Sequence, residues 1–145
     1  MNSNSINATN AYSNVLLAVC VWREADDQPV EAQIGVMWSI FNRAAVAAWW
    51  NEEKAFNIPA VILFPKQYSS FNPGNPNASR WPKSTDSIFK EILLLTISPG
   101  SDPTKGATHY YSGDVVPDWA PKMEHTCDIG ALHFFKVPSP QTQSS

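Results

Sequence analysis

Residues 12–50 restrict the fold more than any other stretch of this chain. Val30, Ile34, Met37, Phe41, Ala44 and Ala48 return in steps of four and three. That spacing is an apolar stripe at the helical period, and it predicts a helix from Pro29 to about Trp50. Ahead of it, "YSNVLLAVCVWREA" is apolar almost all round and predicts a mostly buried helix from about Tyr12 to Glu24, with Ser13 or Asn14 as its cap. The "DDQ" between them breaks the pattern. Pro29 suits the first turn of the second helix, and Asp27 and Glu31 favour its positive end. Two apolar helices joined by a tight acidic turn must pack on each other or on something else.

The rest of the chain supplies little further helix. "NEEKAFNIPAVIL" reads as a connector with a short apolar turn. Residues 65–85 carry four Pro among many Asn and Ser and have no periodicity. A loop of that length in a compact domain is usually functional or disordered, and its aromatics Tyr68, Phe71 and Trp81 argue for order. "TDSIFKEILLLTI" predicts a third helix with Ile88, Phe89, Ile92, Leu93 and Leu95 or Thr96 inward, stopped by Pro99 and Gly100. "ATHYYS" and "TCDIGALHFFKV" predict two short strands that pair as a hairpin. The expected fold is therefore mainly α with a small antiparallel β element, an α+β domain over residues 15–137. Residues 1–14 and 138–145 are expected to be flexible or disordered tails.

A chain of 145 residues is one domain by size and can bury a core. Its net charge of −3 argues against nucleic acid, which needs a basic patch. Seven Phe, six Trp and four Tyr are many for the length. For any one ring core packing is the commoner role, but planar apolar faces also suit sugar rings. Cys20 lies in the apolar run and reads as a small buried residue; pairing with Cys127 is the less favoured alternative. Residues 1–14 lack the basic start and apolar centre of a signal peptide. The run Val15–Trp22 is too short to cross a bilayer. A role outside the cytoplasm would then imply delivery by other machinery, or a start that has been trimmed or misassigned.

Metal and nucleophile chemistry find no pattern. His109, His125 and His133 are scattered, none at helical i, i+4 spacing beside a glutamate, so neither metal nor cofactor is expected. There is no Gly-rich phosphate loop and no G-x-S-x-G elbow. Among the carboxylates, Asp26, Asp27, Glu31, Glu52 and Glu53 read as solvated surface. Glu24 differs. It follows Val21 and Trp22 at the carboxyl end of a buried helix, where apolar surroundings and the negative end of the helix dipole both favour its protonated form. A carboxyl held protonated can deliver a proton to a leaving oxygen, the acid step of glycoside cleavage. Arg23 is the rival influence, because pairing with it would favour the charged form. Neighbouring helix positions point about 100° apart, so that pairing is not assured.

Four segments, in order, resemble the cell wall hydrolase family that includes the spore cortex-lytic enzymes. "READDQPVEAQIGVMWSIFNR" is similar to its opening Glu-Ala-Arg-Gly-Glu … Gly-Gln … Asn-Arg motif through Glu24, Ala25, Gln33, Asn42 and Arg43. Gln67, Tyr68 and Ser69 resemble its Gln-Phe-Ser segment. Pro103 to Tyr111 is similar, almost letter for letter, to Pro-Thr-x-Gly-Ala-Thr-His-Tyr-Tyr. "PDWAPKMEHTCDIGALHFF" resembles its closing pattern, which includes Trp119. The resemblance spans about residues 15–136.

It implies a lysozyme-like fold and cleavage of peptidoglycan glycan strands between N-acetylmuramic acid and N-acetylglucosamine, with Glu24 as the catalytic acid of a lytic transglycosylase. Gln67, Tyr68, Ser69, Trp81, Thr108, His109, Tyr110, Tyr111 and Trp119 become candidates to hold the glycan or steady Glu24; Thr108 and Tyr110 could equally fill a strand face. Two departures stand out. Asp26, Asp27 and Gln28 replace the motif's Arg-Gly-Glu, and His133 falls one residue late after Ile129 and Gly130. Two alternatives stay open: a muramidase with Asp27, Asp114 or Asp128 as second carboxylate, or a binding module without catalysis. The expected partner is peptidoglycan, met by a monomer that does not insert into membrane and acts at the wall, as a phage lysin delivered by other machinery would.

Overall fold

The computed structural model describes residues 3–46, 48–51, 54, 56–64 and 67–138, with backbone alone for 3–10. The first helix, α1 (Ser3–Ala25), is the central element and packs on α2 (Val30–Ala44), α3 (Ile58–Leu63) and α4 (Ser87–Ile97). Its Leu17–Trp22 run is buried without a break, as a helix apolar on every side must be. It begins at Ser3 rather than near Tyr12, so most of the expected N-terminal tail is helix and Ser13 and Asn14 are interior, not caps. No Gly or Pro interrupts residues 3–16, and a helix nucleated by its buried half propagates at little cost per residue. Beyond Pro138, the expected C-terminal tail lies outside the described residues.

The turn from α1 to α2 is held by side chains. Gln33 Nε2 donates to the carbonyls of Ala25 (3.0 Å) and Gln28 (3.2 Å), capping the end of α1. Gln28 Oε1 in turn accepts from the Ala131 backbone N–H at 3.0 Å, tying that turn to the sheet.

The inward face of α2 follows the stripe read from the sequence only in part: Met37 and Ala44 are buried as expected. Val30 is exposed and Ile34 and Phe41 are half-buried, while Ala32, Gln33, Gly35, Val36, Ser39, Ile40 and Arg43 are buried. The true seam mixes polar and small residues with apolar ones, so apolar periodicity alone rotates the helix. Gly35 marks the closest approach. A Cβ there would stand 2.7 Å from Phe134 Cζ and 3.2 Å from Thr104 Cγ2, so only glycine lets α2 meet the sheet. The helix also stops at Ala44, short of Trp50. Trp50 Nε1 donates to the Arg43 carbonyl (3.0 Å), and Asn51 Nδ2 donates to those of Ala44 (3.2 Å) and Val46 (3.0 Å). The last carbonyls are taken by side chains folding back, which ends the ladder.

Asn57 caps α3 by accepting from Ala60 N–H, and Asp86 caps α4 by accepting from Phe89 N–H. In α4, Ile92 and Thr96 are buried, Phe89, Leu93 and Leu95 half-buried, and Ile88 exposed.

The β element has three strands, not two. These are β1 (His109–Ser112), β2 (Glu124–Ile129) and β3 (Leu132–Lys136), antiparallel in the order β1-β3-β2. The segment expected as one strand folds on itself through the two-residue turn Gly130-Ala131, with Gly130 at φ +58°. A glycine at the first turn position provides the positive φ that tight hairpins require. Tyr110 pairs with Phe134, and Tyr111 with His133. Both cysteines are free. No helix among the described residues is long and apolar enough to cross a membrane.

Candidate active site

Glu24 occupies the last turn of α1, half-buried. Its Oε1 accepts a hydrogen bond from the Tyr110 hydroxyl at 2.6 Å. Tyr110 sits in β1 with its ring toward the core, 5.8 Å from the Phe134 ring. Burial, and next the charge of Glu24, push the Tyr110 phenol well above its ordinary range, so it stays a donor at any working pH.

Arg23 does not pair with Glu24. It donates to the carbonyls of Arg80 (2.9 Å), Ser70 (3.1 Å) and Ala78 (3.2 Å) in the long loop.

Arg43 gathers the other elements. It is buried on the inner face of α2, its Nε donates to the Thr108 carbonyl, and its Nη1 donates to Gln67 Oε1 at 2.9 Å. The guanidinium lies 5.4 Å from the Tyr68 ring and 5.5 Å from the Trp50 ring. One residue earlier, Asn42 Nδ2 donates to the Ala107 carbonyl (2.8 Å) and to Asp102 Oδ2 (3.0 Å). Asp102 also accepts from Thr104 N–H, Thr104 Oγ1 and Gly106 N–H, closing the turn that leads into β1. Burial alone would push the Asp102 carboxyl up, but the bonds from Thr104, Asn42 and Gly106 outweigh it and hold it below the usual range. The 102–108 segment is thus fixed against α2, and it fixes Tyr110.

Four of the candidate residues fall in two settings. Gln67, Tyr68 and Thr108 meet at Arg43, and Tyr110 meets Glu24. Tyr68 is only 3% exposed, so its ring lies beneath the site and presents no open face to a sugar; burial pushes its phenol up. Ser69 is exposed at the start of a 3-10 turn, Ser69–Phe71. Trp81 is 63% exposed and rests on the Arg23 guanidinium at 4.5 Å.

His109 and Tyr111 alternate with Tyr110 and so project from the other sheet face. His109 stands 5.2 Å from both Trp50 and Trp119, with Nδ1 2.8 Å from Thr108 Oγ1. Burial, then the charge of Arg43, lower its pKa to about 4. Tyr111 stacks on Phe135 and meets Trp119 and His133. Tyr111 and Trp119 therefore belong to an aromatic layer distinct from the Glu24–Tyr110 pair.

Of the rival carboxylates, Asp27 and Asp114 are exposed. Asp128 Oδ1 is engaged by His125 Nε2 (2.7 Å) and His133 Nδ1 (2.8 Å), and those bonds lower its pKa. Among the described residues no three His, Cys, Asp or Glu side chains are grouped to hold a metal ion.

Sequence reasoning quoted Asn42 and Arg43 as motif letters but assigned them no role, and it missed Trp50 and Asp102. Nothing local marked Arg43: its place on the inner side of α2 is seen only in the fold, where a buried arginine is costly unless its donors are used.

The family model described as Cell Wall Hydrolase matches residues 27–135. The matched stretch begins just past Glu24. The fold is similar to the catalytic domain of the germination-specific lytic transglycosylase SleB from Bacillus anthracis (TM-score 0.67, 24% identity, covering 86% of this chain and 93% of that one). It is equally similar to the catalytic domain of the Bacillus cereus SleB protein (TM-score 0.66, 24% identity, 86% and 89% covered). These likenesses bear out the α+β, lysozyme-like architecture. No curated protein matches. The family match takes in most of the chain, including Asn42, Arg43, the 102–108 turn and all three strands, and by it the chain belongs to the cell wall hydrolase family.

Proposed function

We propose that this cell wall hydrolase cuts peptidoglycan glycan strands between N-acetylmuramic acid and N-acetylglucosamine as a lytic transglycosylase, with Glu24 as its one catalytic acid. The observation that carries this reading is the 2.6 Å bond from Tyr110 to Glu24 Oε1. A donor that never ionises holds one carboxyl oxygen and leaves Oε2 to carry the transferable proton. Among the described residues Oε2 has no hydrogen-bond partner.

In the reaction, Oε2–H protonates the glycosidic oxygen as the C1–O bond breaks, and the leaving sugar departs with a free hydroxyl. The carboxylate then takes the proton of the muramic C6 hydroxyl as that oxygen bonds to C1, closing a 1,6-anhydro ring. Glu24 ends protonated, as it began. The attack is intramolecular, so proximity provides much of the rate and no second carboxylate is needed. The Arg43 frame of Gln67 and the Thr108 carbonyl supports this by fixing β1, and hence Tyr110, against α2. The name of the Bacillus anthracis structure, a germination-specific lytic transglycosylase, agrees with the chemistry. The enzyme acts at the wall as a monomer, without membrane insertion and without metal or cofactor.

The test is Glu24→Gln. The amide oxygen still accepts from Tyr110, so the fold is retained, while no proton can be delivered. Lysis of purified walls should fall by at least about a thousandfold, the scale of losing an acid catalyst plus its field. A folded Glu24→Gln protein of near-normal activity sinks the assignment.

A further inference from the structure

Arg23 lies next to Glu24 in α1, yet the acid–base chemistry does not use it. It is 6% exposed, and each of its three side-chain nitrogens donates a hydrogen bond. Nε, Nη1 and Nη2 donate to the carbonyls of Arg80, Ser70 and Ala78, and the guanidinium carbon lies over the rings of Phe71 (4.6 Å) and Trp81 (4.5 Å).

These contacts fall along a loop whose regular elements, among the described residues, are two short 3-10 turns, Ser69–Phe71 and Pro76–Ser79. A second anchor helps. Arg80 stacks on Trp22 at 4.4 Å and pairs with Asp26 at 2.8 Å, but that pair is over a third exposed on one side and weak alone. Trp22, Arg23 and Asp26 surround Glu24 in sequence, so the loop docks on the same turn of α1 that carries the acid.

We propose that Arg23 is a positioning residue. It clamps residues 70–81 as a preformed wall beside Glu24 and holds Trp81 flat on its guanidinium, so that the open face of the indole is offered to a sugar ring of the glycan. The proposal rests on the substrate reading above. It accounts for both the burial of Arg23 and the 63% exposure of Trp81, one face of which is covered by the cation. Lysine cannot replace it, because an ammonium lacks the planar fork that reaches three carbonyls while lying over two rings.

The test compares Arg23→Lys, Trp81→Ala, Trp81→Phe and the double variant Arg23→Lys/Trp81→Ala in the full chain. With glycan strands from purified peptidoglycan as substrate, each of the first two should raise KM about tenfold with kcat within about threefold. Trp81→Phe should recover most of the loss. The double variant should be no worse than the worse single one, since both act through one wall. In Arg23→Lys the amides of Phe71, Asn72, Ala78 and Arg80, which close the loop's turns, should exchange faster with solvent.

A lowered melting temperature with KM unchanged, or a loss confined to kcat, overturns the proposal. Trp81→Ala lies on the surface and keeps the test open if Arg23→Lys folds poorly. Glycan binding followed by tryptophan fluorescence in the Glu24→Gln background separates the two ideas. Lysis by Glu24→Gln defeats the acid assignment and leaves the wall standing. An inert Glu24→Gln protein whose glycan binding is untouched by Arg23→Lys and Trp81→Ala defeats the wall.

Discussion

The Tyr110 hydroxyl and Glu24 Oε1 are 2.6 Å apart although 86 residues separate them in the chain. One stands in a strand and the other at a helix end, and each is fixed by its own neighbours. Gln33 caps the end of α1, and pairing with Phe134 sets Tyr110. The bond is a product of the whole fold, and it aims the carboxyl.

Tyr110→Phe removes the donor and keeps the ring against Phe134. A hydrogen bond to a charged group is worth about 1.5–3 kcal/mol, so kcat should fall roughly tenfold to a hundredfold. KM should move little. Steady-state kinetics on glycan strands, with thermal melting as the control for folding, checks this.

Arg43→Lys keeps the charge and loses the fork. Lysine can reach either the Thr108 carbonyl or Gln67 Oε1 but not both from one buried position. One acceptor left unsatisfied costs about 1–3 kcal/mol. Urea unfolding should give a lower midpoint with an unchanged slope, and activity should fall further than stability predicts, because β1 carries Tyr110.

His109 gives the stability a pH dependence of known sign. Its folded pKa, about 4, lies below the ordinary 6.5, so the unfolded chain binds this proton first as pH falls. Stability from this group is whole above pH 6.5 and is lost on descending toward 4. Its ring is partly open to solvent, so the loss is about 1–2 kcal/mol after allowing for screening. Melting temperature should therefore rise from pH 4 to 6.5, and His109→Gln should flatten that rise. Asp102 is lowered too, but its contribution belongs to a more acid window and is kept in the variant.

The helix end that carries Glu24 was legible, because an apolar run followed at once by a carboxylate needs only local reasoning. The turn into β1 was legible through the run Pro103 to Tyr111. The inner face of α2 was not. Gln33 and Arg43 are buried because backbone carbonyls from other elements or turns accept from them, and those carbonyls have no trace in local sequence; Ser39 is satisfied within α2 itself, by the Val36 carbonyl. The end of α2 was misread for the same reason, since Trp50 and Asn51 fold back on it from beyond. The third strand was missed where Gly130 turns the chain, a signal present but overlooked. The separation of Tyr110 from Tyr111 follows from strand alternation once β1 is known, and needs the sheet to say which face looks toward Glu24.

The masses of the products test the account most directly. Purified peptidoglycan is digested to completion and the muropeptides are weighed. Attack by the sugar's own C6 hydroxyl leaves a 1,6-anhydro end, and attack by water leaves a reducing end heavier by one water. Anhydro products should dominate, and they should vanish with Glu24→Gln. Products dominated by reducing ends would contradict the transglycosylase reading and make the enzyme a muramidase, with substitution of Asp27, Asp114 and Asp128 in turn identifying its second carboxylate.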